Sequence, residues 1–136
     1  MKIFKFIVLI LIMSLSSCNN DKKIIREEMN AGIKENSNSR FNAAIQHFNK
    51  VLKIDINNAE AYYNLGNVFY NKGDYKRAMN NANEALAKDS TYGEAYKLRA
   101  ELYKKIYRNE AAACKDYLKA EKYGVENLYN YTKFCK

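Results

Sequence analysis

The sequence predicts an all-α protein, an α-solenoid of about three helical hairpins followed by a C-terminal capping helix. Three observations predict this fold. The chain repeats itself at an offset of 34 residues, which aligns Gly32 with Gly66, and a period in this range is typical of solenoids. Apolar residues recur every three or four positions, which is helical spacing. The length of 136 residues suits one domain.

The first 17 residues have the pattern of an export signal peptide. Lys2 and Lys5 give a positive start, residues 6–13 are uninterruptedly apolar, and small residues follow up to Ser17. The apolar run is too short for a transmembrane helix, which needs about 20 apolar residues. We therefore expect residues 1–17 to be cleaved off rather than kept as an anchor.

Residues 15–18, Leu-Ser-Ser-Cys, resemble a bacterial lipobox, where a signal peptidase cuts before a cysteine that carries lipid. The resemblance implies a lipidated Cys18, with palmitate among its acyl chains. Residues 19–23 are polar, so we expect residues 18–23 to form a flexible tether. Several acyl chains hold a protein firmly on a membrane. Asn19, where an Asp would retain the protein at the inner membrane, favours the outer membrane, on its periplasmic or surface face. The alternative is a free thiol at an ordinary cleavage site.

The rest of the chain, residues 24–136, divides into units of about 25–58, 59–92 and 93–124. The middle unit has two stripes of helical spacing, one on each helix of a hairpin: Tyr62, Leu65, Gly66 and Phe69, then Ala78, Ala82 and Ala85. Gly73-Asp74 breaks the helix between them. This pattern resembles a tetratricopeptide repeat (TPR), and together with the lipobox it resembles a bacterial TPR lipoprotein.

The outer units depart from the pattern. In the first helix of the first unit, Glu28 and Glu35 stand at positions that are normally bulky. The third unit needs one inserted residue before Ala113. We expect an altered turn near residues 108–109; a change of helix register within residues 104–107 is the alternative.

After Gly124, residues 125–135 predict a single capping helix, with four apolar side chains on one face: Val125, Leu128, Tyr129 and Phe134. TPRs often carry a proline between units, and this chain has none. We therefore expect Asp55 and Asp89 to break the helices through side-chain hydrogen bonds to the local backbone.

The composition argues against catalysis, metal or cofactor binding, and nucleic-acid binding. His47 is the only histidine and has no ligand partner at a suitable spacing, so we expect a packing role. The net charge is +8, but lysines and glutamates interleave over residues 94–122 rather than forming a basic stripe. A wall-processing enzyme that uses Glu94 and Glu101, and a structural subunit of an envelope assembly, are the competing interpretations.

In TPR arrays the first helix of each unit lines a concave groove. The resemblance therefore implies a peptide-binding groove with seven principal side chains: Tyr63, Asn64, Asn67, Tyr70, Asn71, Lys97 and Glu101. Leu98, Lys104 and Lys105 are expected to face it as well. Amides and phenols suit an extended peptide; a merely solvated face is the alternative.

Some TPRs bind acidic C-termini through a two-carboxylate clamp. Here Met29 and Ile33 occupy two of the clamp positions and Glu94 stands where a lysine is expected, so the resemblance disfavours that ligand. The expected function is a membrane-anchored, non-catalytic interaction or scaffold module in the cell envelope.

With Cys18 lipidated, Cys114 and Cys135 are left over. Disulfides persist in exported proteins, and the predicted topology brings the start of one helix near the end of the next. The C-terminal segment also resembles TPR lipoproteins that carry such a pair. We expect a Cys114–Cys135 disulfide, with two buried free thiols as the alternative.

Overall fold

The computed structural model describes residues 2–135, with side chains from residue 20 onward, and no strand occurs in that range. The helices are α1 (Lys2–Ser37), α2 (Phe41–Ile54), α3 (Ala59–Asn71), α4 (Tyr75–Lys88), α5 (Gly93–Leu102), α6 (Glu110–Lys122) and α7 (Tyr129–Thr132), with a π-helical turn at Tyr103–Tyr107. The predicted all-α fold is confirmed.

The helices pack as three hairpins, α1 with α2, α3 with α4, and α5 with α6. Successive hairpins meet where α2 contacts α3 and where α4 contacts α5, and α3 also touches α1 and α5. This is a solenoid, in which each unit packs only against its neighbours. The first helices, α1, α3 and α5, share one surface, and the second helices share the other.

Residues with left-handed backbone conformation close the hairpins. Ser39 (φ 58°) and Gly73 (φ 79°) occupy equivalent positions of the repeat, but Arg108 (φ 48°) comes one residue later than the period predicts. The π-helical turn at Tyr103–Tyr107 takes up this extra residue, because a π-helix bonds over one more residue than an α-helix. The third unit therefore has both the register change and the altered turn.

The connections between hairpins rely on aspartate side chains. Asp55 accepts a hydrogen bond from the backbone N–H of Asn57 at 3.0 Å, and Asp89 accepts one from the N–H of Thr91 at 2.8 Å. Asn58 then caps α3. The predicted use of side-chain hydrogen bonds in place of proline is confirmed.

Two clusters of buried side chains form the core. The first lies between α1 and α5: Met29, Ala44, Phe48, Val51, Ala61, Leu65, Val68, Phe69, Ala78, Met79, Ala82, Leu98 and Leu102. The second lies under the last hairpin: Ala85, Leu86, Ala95, Tyr96, Ala100, Ala113, Tyr117, Ala120 and Leu128. Tyr63 and Tyr103 pack against both clusters and make the core continuous.

Gly66 permits a close approach of three helices. A Cβ atom at this position would lie 2.8 Å from Leu98 Cδ2 and 3.4 Å from the carbonyl oxygen of Ala78. Leu98 fills the space that the glycine leaves and is only 3% exposed. The prediction that Leu98 faces the groove is therefore wrong, because the packing of α5 on α3 turns this side chain into the core.

An ion pair between α5 and α6 was not predicted. The Arg99 guanidinium donates to both carboxylate oxygens of Asp116, at 2.6 and 2.9 Å, and donates a third bond to Asn83 on α4 at 3.0 Å. The Asp116 side chain is 5% exposed. One arginine thus ties together three helices across two units.

The C-terminal segment differs from the prediction of one helix over residues 125–135. Only α7, a single turn, is helical, because Gly124 (φ 93°) and Asn127 (φ 61°) interrupt the chain before it. Leu128 is buried against the second core cluster, whereas Tyr129 and Phe134 are 71% and 80% exposed. The segment still covers the end of the solenoid, but with a short turn.

Candidate functional site

The predicted groove residues lie on α3 and α5, and none of the seven is fully buried. Asn71 is exposed, and the other six are half-buried. They are Tyr63, Asn64, Asn67, Tyr70, Lys97 and Glu101. The surface shared by the first helices therefore offers amide, phenol and charged groups to solvent, as an extended ligand would require.

All three amides already make hydrogen bonds within the protein, Asn67 with the Tyr63 phenol. Asn64 donates to the Glu60 carbonyl oxygen of the preceding turn at 2.9 Å. Asn71 donates to the Asn36 side chain on α1 at 3.1 Å, which links the first two units. Each amide nitrogen has a second proton and each amide oxygen can accept, so the groove retains capacity for a ligand.

The Tyr63 side chain is restrained by packing contacts, unlike a fully exposed groove residue. Its ring meets the ring of Tyr92 edge-on at a centroid distance of 5.4 Å, and its side chain touches both core clusters. Burial raises the pKa of the Tyr63 phenol, although a hydrogen bond with Asn67 counters part of this rise. Tyr63 thus supports the groove wall and exposes only part of its side chain.

A shallow, open depression lies at the C-terminal end of the groove. We call this the tyrosine pocket. It has a volume of about 390 Å³ and is lined by six residues: Tyr70, Glu101, Lys104, Lys105, Tyr117 and Tyr131. Tyr117 and Tyr131 stack at a centroid distance of 4.8 Å. The sequence did not place Tyr131 here, since the fold-back of the C-terminal segment brings it beside Tyr117.

Glu101 is the only acidic side chain lining the tyrosine pocket. Burial raises the pKa of its carboxyl, and the positive charge of Lys97 offsets part of that rise. The charge on Glu101 in turn contributes, after burial, to raising the pKa of Tyr70 and Tyr117. The carboxylate and the phenols therefore lie close enough to influence one another's protonation.

The two pocket lysines have partners within the protein. Lys104 Nζ lies 3.6 Å from a carboxylate oxygen of Glu110. Lys105 Nζ lies over the rings of Tyr70 and Tyr75, 5.8 and 5.3 Å from their centroids. Both lysines belong to the π-helical turn, so the extra residue of the third unit shapes this end of the groove.

His47 pairs with a carboxylate of the degenerate first helix. Its Nδ1 lies 2.5 Å from Glu28 Oε2, and Lys50 donates to the other carboxylate oxygen at 3.1 Å. The hydrogen bond from His47 lowers the pKa of Glu28 most strongly. The polar residue at this normally bulky position thus joins α1 to α2. Within the described residues, no cluster of three metal-binding side chains occurs.

Cys114 and Cys135 form a disulfide, with their Cα atoms 5.3 Å apart. The bridge joins the first turns of α6 to the segment after α7. It therefore fastens the C-terminal fold-back that carries Tyr131 into the tyrosine pocket.

The lipidation site lies outside the described side chains. The side chain of Cys18 and the side chains of residues 1–17 are not among those described, so cleavage and lipidation remain predictions. The structure is that of the uncleaved chain, in which α1 runs through residues 18–23. Among the described residues, no helix combines the length and apolar character needed to cross a membrane.

Comparisons with known proteins agree with this architecture. A family model described as "TPR repeat" matches residues 34–73, and one described as "Tetratricopeptide repeat" matches residues 59–92. No curated protein matches the chain.

Several solved structures share the fold. The first TPR of Spaghetti (RPAP3), bound to the HSP90 peptide SRMEEVD, is 19% identical with a TM-score of 0.72, covering 82% of this chain and 89% of that one. The Arabidopsis OM64 TPR domain is 18% identical with a TM-score of 0.72, covering 83% and 94%.

The second TPR domain of human RPAP3, in complex with the HSP70 peptide SGPTIEEVD, is 16% identical with a TM-score of 0.70, covering 83% and 95%. At these identities the likeness concerns the fold. Residues 34–92 therefore match tetratricopeptide-repeat models, and the chain has the fold of a TPR solenoid.

Proposed function

We propose that this protein is a membrane-anchored TPR module that binds an extended polypeptide segment in its concave groove and has no catalytic activity of its own. The observation that carries the proposal is the partial exposure of amide, phenol and charged side chains along α3 and α5. The opposite sides of the same helices are buried in the hydrophobic core.

The chemistry of the groove suits a polypeptide. Amides offer both donors and acceptors to a peptide backbone, and tyrosines offer flat contact area at a low cost in conformational entropy. Structurally similar TPR domains hold HSP90 and HSP70 peptides, which supports a peptide as the class of ligand.

The ligand is expected to differ from the acidic peptides of those neighbours. Met29, at one of the clamp positions, is buried in the core, and the exposed Glu94 at the start of α5 would repel a carboxylate. The proposed partner is therefore a polypeptide of the cell envelope without an acidic terminus.

Photo-crosslinking in intact cells tests the groove. A photoreactive amino acid replaces Asn67 in the groove or, as a matched control, the exposed Asn80 on α4. We expect a discrete polypeptide adduct from position 67 and none from position 80. Adducts from position 80 alone would move the contact surface to the second helices, as expected for a structural subunit of an assembly.

The membrane anchor rests on the Leu-Ser-Ser-Cys segment and the apolar run before it. Palmitate labelling of cells that produce the chain should mark the wild type and not Cys18→Ala, and the wild type should fractionate with outer-membrane lipid. A wild-type chain that incorporates no palmitate would contradict lipidation while leaving the groove untouched.

The absence of catalysis is proposed on the placement of the acidic residues. Glycoside hydrolysis needs two carboxyl groups across one cleft, and Glu94 does not line the pocket that contains Glu101. A zymogram with cell-wall substrate should show no clearing. Clearing that Glu101→Gln abolishes would assign the protein to the wall-processing enzymes instead.

A further inference from the structure

We propose that the tyrosine pocket is a subsite for an arginine side chain of the bound polypeptide, with Glu101 as the anion and the exposed ring of Tyr131 as an aromatic wall. This inference rests on the proposed function of the groove and adds the charge of its ligand. According to this inference, the C-terminal end of the groove prefers a cationic side chain, whereas a two-carboxylate clamp prefers an anionic terminus.

The state of Glu101 is the first argument. The Glu101 side chain is half-buried, and none of the described side chains donates a hydrogen bond to it; the charge of Lys97 acts on it from a distance. Burial raises the pKa of this carboxyl, so partial desolvation disfavours its charged form, while its oxygens keep contact with solvent. A ligand that donates hydrogen bonds to the Glu101 carboxylate would offset this cost of desolvation.

The aromatic wall is the second argument. Tyr131 lines the pocket with Glu101 and is 46% exposed; its ring stacks at 4.8 Å on Tyr117, which is only 2% exposed and supports Tyr131 from the core side. Cations are attracted to the faces of tyrosine rings. Within the same pocket, Lys105 already lies over Tyr70, so one of its rings is in contact with a cation.

The pocket lysines leave the carboxylate available. Lys104 is paired with Glu110 and Lys105 lies between two tyrosine rings, so each ammonium group has its own partner. Arginine fits better than lysine, because a planar guanidinium stacks on aromatic rings and gives two parallel hydrogen bonds to a carboxylate.

The test uses the full chain in detergent micelles and four acetylated, amidated nonapeptides of alanine and serine with a central arginine, lysine, glutamine or glutamate. NMR titration that follows the ring signals of Tyr117 and Tyr131 gives the Kd of each. We expect the arginine peptide to bind about tenfold more tightly than the glutamine peptide. Glu101→Gln should reduce this ratio to about one.

Glu84→Gln is the matched control, because Glu84 is exposed on α4, on the surface of the second helices; it should keep the arginine preference. Tighter binding of the glutamate peptide would overturn the inference and make the lysines an anionic-ligand site. So would an arginine preference that survives Glu101→Gln, or no binding of the arginine peptide. The proposed groove function is judged separately, by the crosslink from position 67.

The unfolding temperature shows whether Glu101 serves ligand binding or the stability of the fold. Burial raises the pKa of Glu101, so the charged form is disfavoured in the folded state, and Glu101→Gln should melt at the wild-type temperature or above it. A variant that loses arginine binding and also melts earlier would show that Glu101 stabilises the fold, which would overturn its role as an unpaired ligand-binding carboxylate.

Discussion

At the scale of single residues, polar contacts determine how neighbouring units are joined. Arg99 binds Asp116 through two hydrogen bonds and reaches Asn83 with a third, so its guanidinium is fixed between α4, α5 and α6. Asp116 is nearly excluded from water. An ion pair in such a site does not stabilise much relative to an apolar pair, but removal of one partner leaves the other charge buried.

Asp116→Ala should therefore lower the free energy of unfolding by about 3 kcal/mol. Urea titration followed by circular dichroism measures the change. Lys23→Ala is the control, because Lys23 and Glu27 form an exposed pair at 3.9 Å and such pairs contribute about 0–1 kcal/mol. Equal losses in the two variants would mean that the buried pair makes no special contribution.

Asp89 is a second residue whose effect can be isolated. Hydrogen bonds from the side chain and backbone of Thr91 hold its pKa below the usual value of 3.8. Because this pKa is depressed in the folded state, the stabilisation is fully present above the unfolded pKa. It is lost as the pH falls through the folded pKa.

Asp89→Ala should accordingly melt below the wild type at pH 7, and the gap should narrow as the pH falls below 3.8. Differential scanning calorimetry over a pH series gives the comparison. If the gap is the same at every pH, the hydrogen bonds to the carboxylate do not stabilise the connection between the second and third units.

At the scale of elements, the helices follow from the apolar spacing, whereas the irregular parts do not. The third unit has one residue more before Ala113 than the 34-residue period predicts, but its length alone does not decide whether a turn or the helix accommodates the extra residue. The π-helical turn at Tyr103–Tyr107 absorbs it here. Likewise the apolar positions after Gly124 suggested one helix, although left-handed backbone at Asn127 interrupts it.

The C-terminal fold-back also explains which part of the site was missed. Side chains of α3 and α5 could be assigned to the groove from the resemblance to TPR arrays together with helical spacing. Tyr131 could not, since its place beside Tyr117 depends on a contact between distant parts of the chain. Leu98 was misassigned because spacing does not reveal that Gly66 opens a space for it.

The disulfide should stabilise this fold-back. It joins residues separated by 21 positions, and in the chain-entropy model a loop of that size contributes about 3 kcal/mol. Cys114→Ser with Cys135→Ser should therefore lower the free energy of unfolding by about that amount. Hydrogen exchange should quicken first in α7. An unchanged exchange rate there would mean that Leu128 and its neighbours hold the segment without the bridge.

At the scale of the whole molecule, three stacked hairpins present their first helices on one surface, and we propose that lipid on Cys18 holds this surface at a membrane. The central claim is that the groove, rather than the surface of the second helices, is occupied by a polypeptide in the envelope. Lysines report on both surfaces, since Lys97 and Lys105 lie on the groove side, while Lys76 and Lys88 are exposed on α4.

The most direct measurement is the rate of lysine acylation by an amine-reactive reagent, read by mass spectrometry in native envelope membranes and again after purification of the full chain in detergent. We expect Lys97 and Lys105 to react several-fold more slowly in the native membranes, and Lys76 and Lys88 to react equally in both. Protection of Lys76 and Lys88 instead, or equal rates at all four lysines, would contradict a groove occupied by a polypeptide.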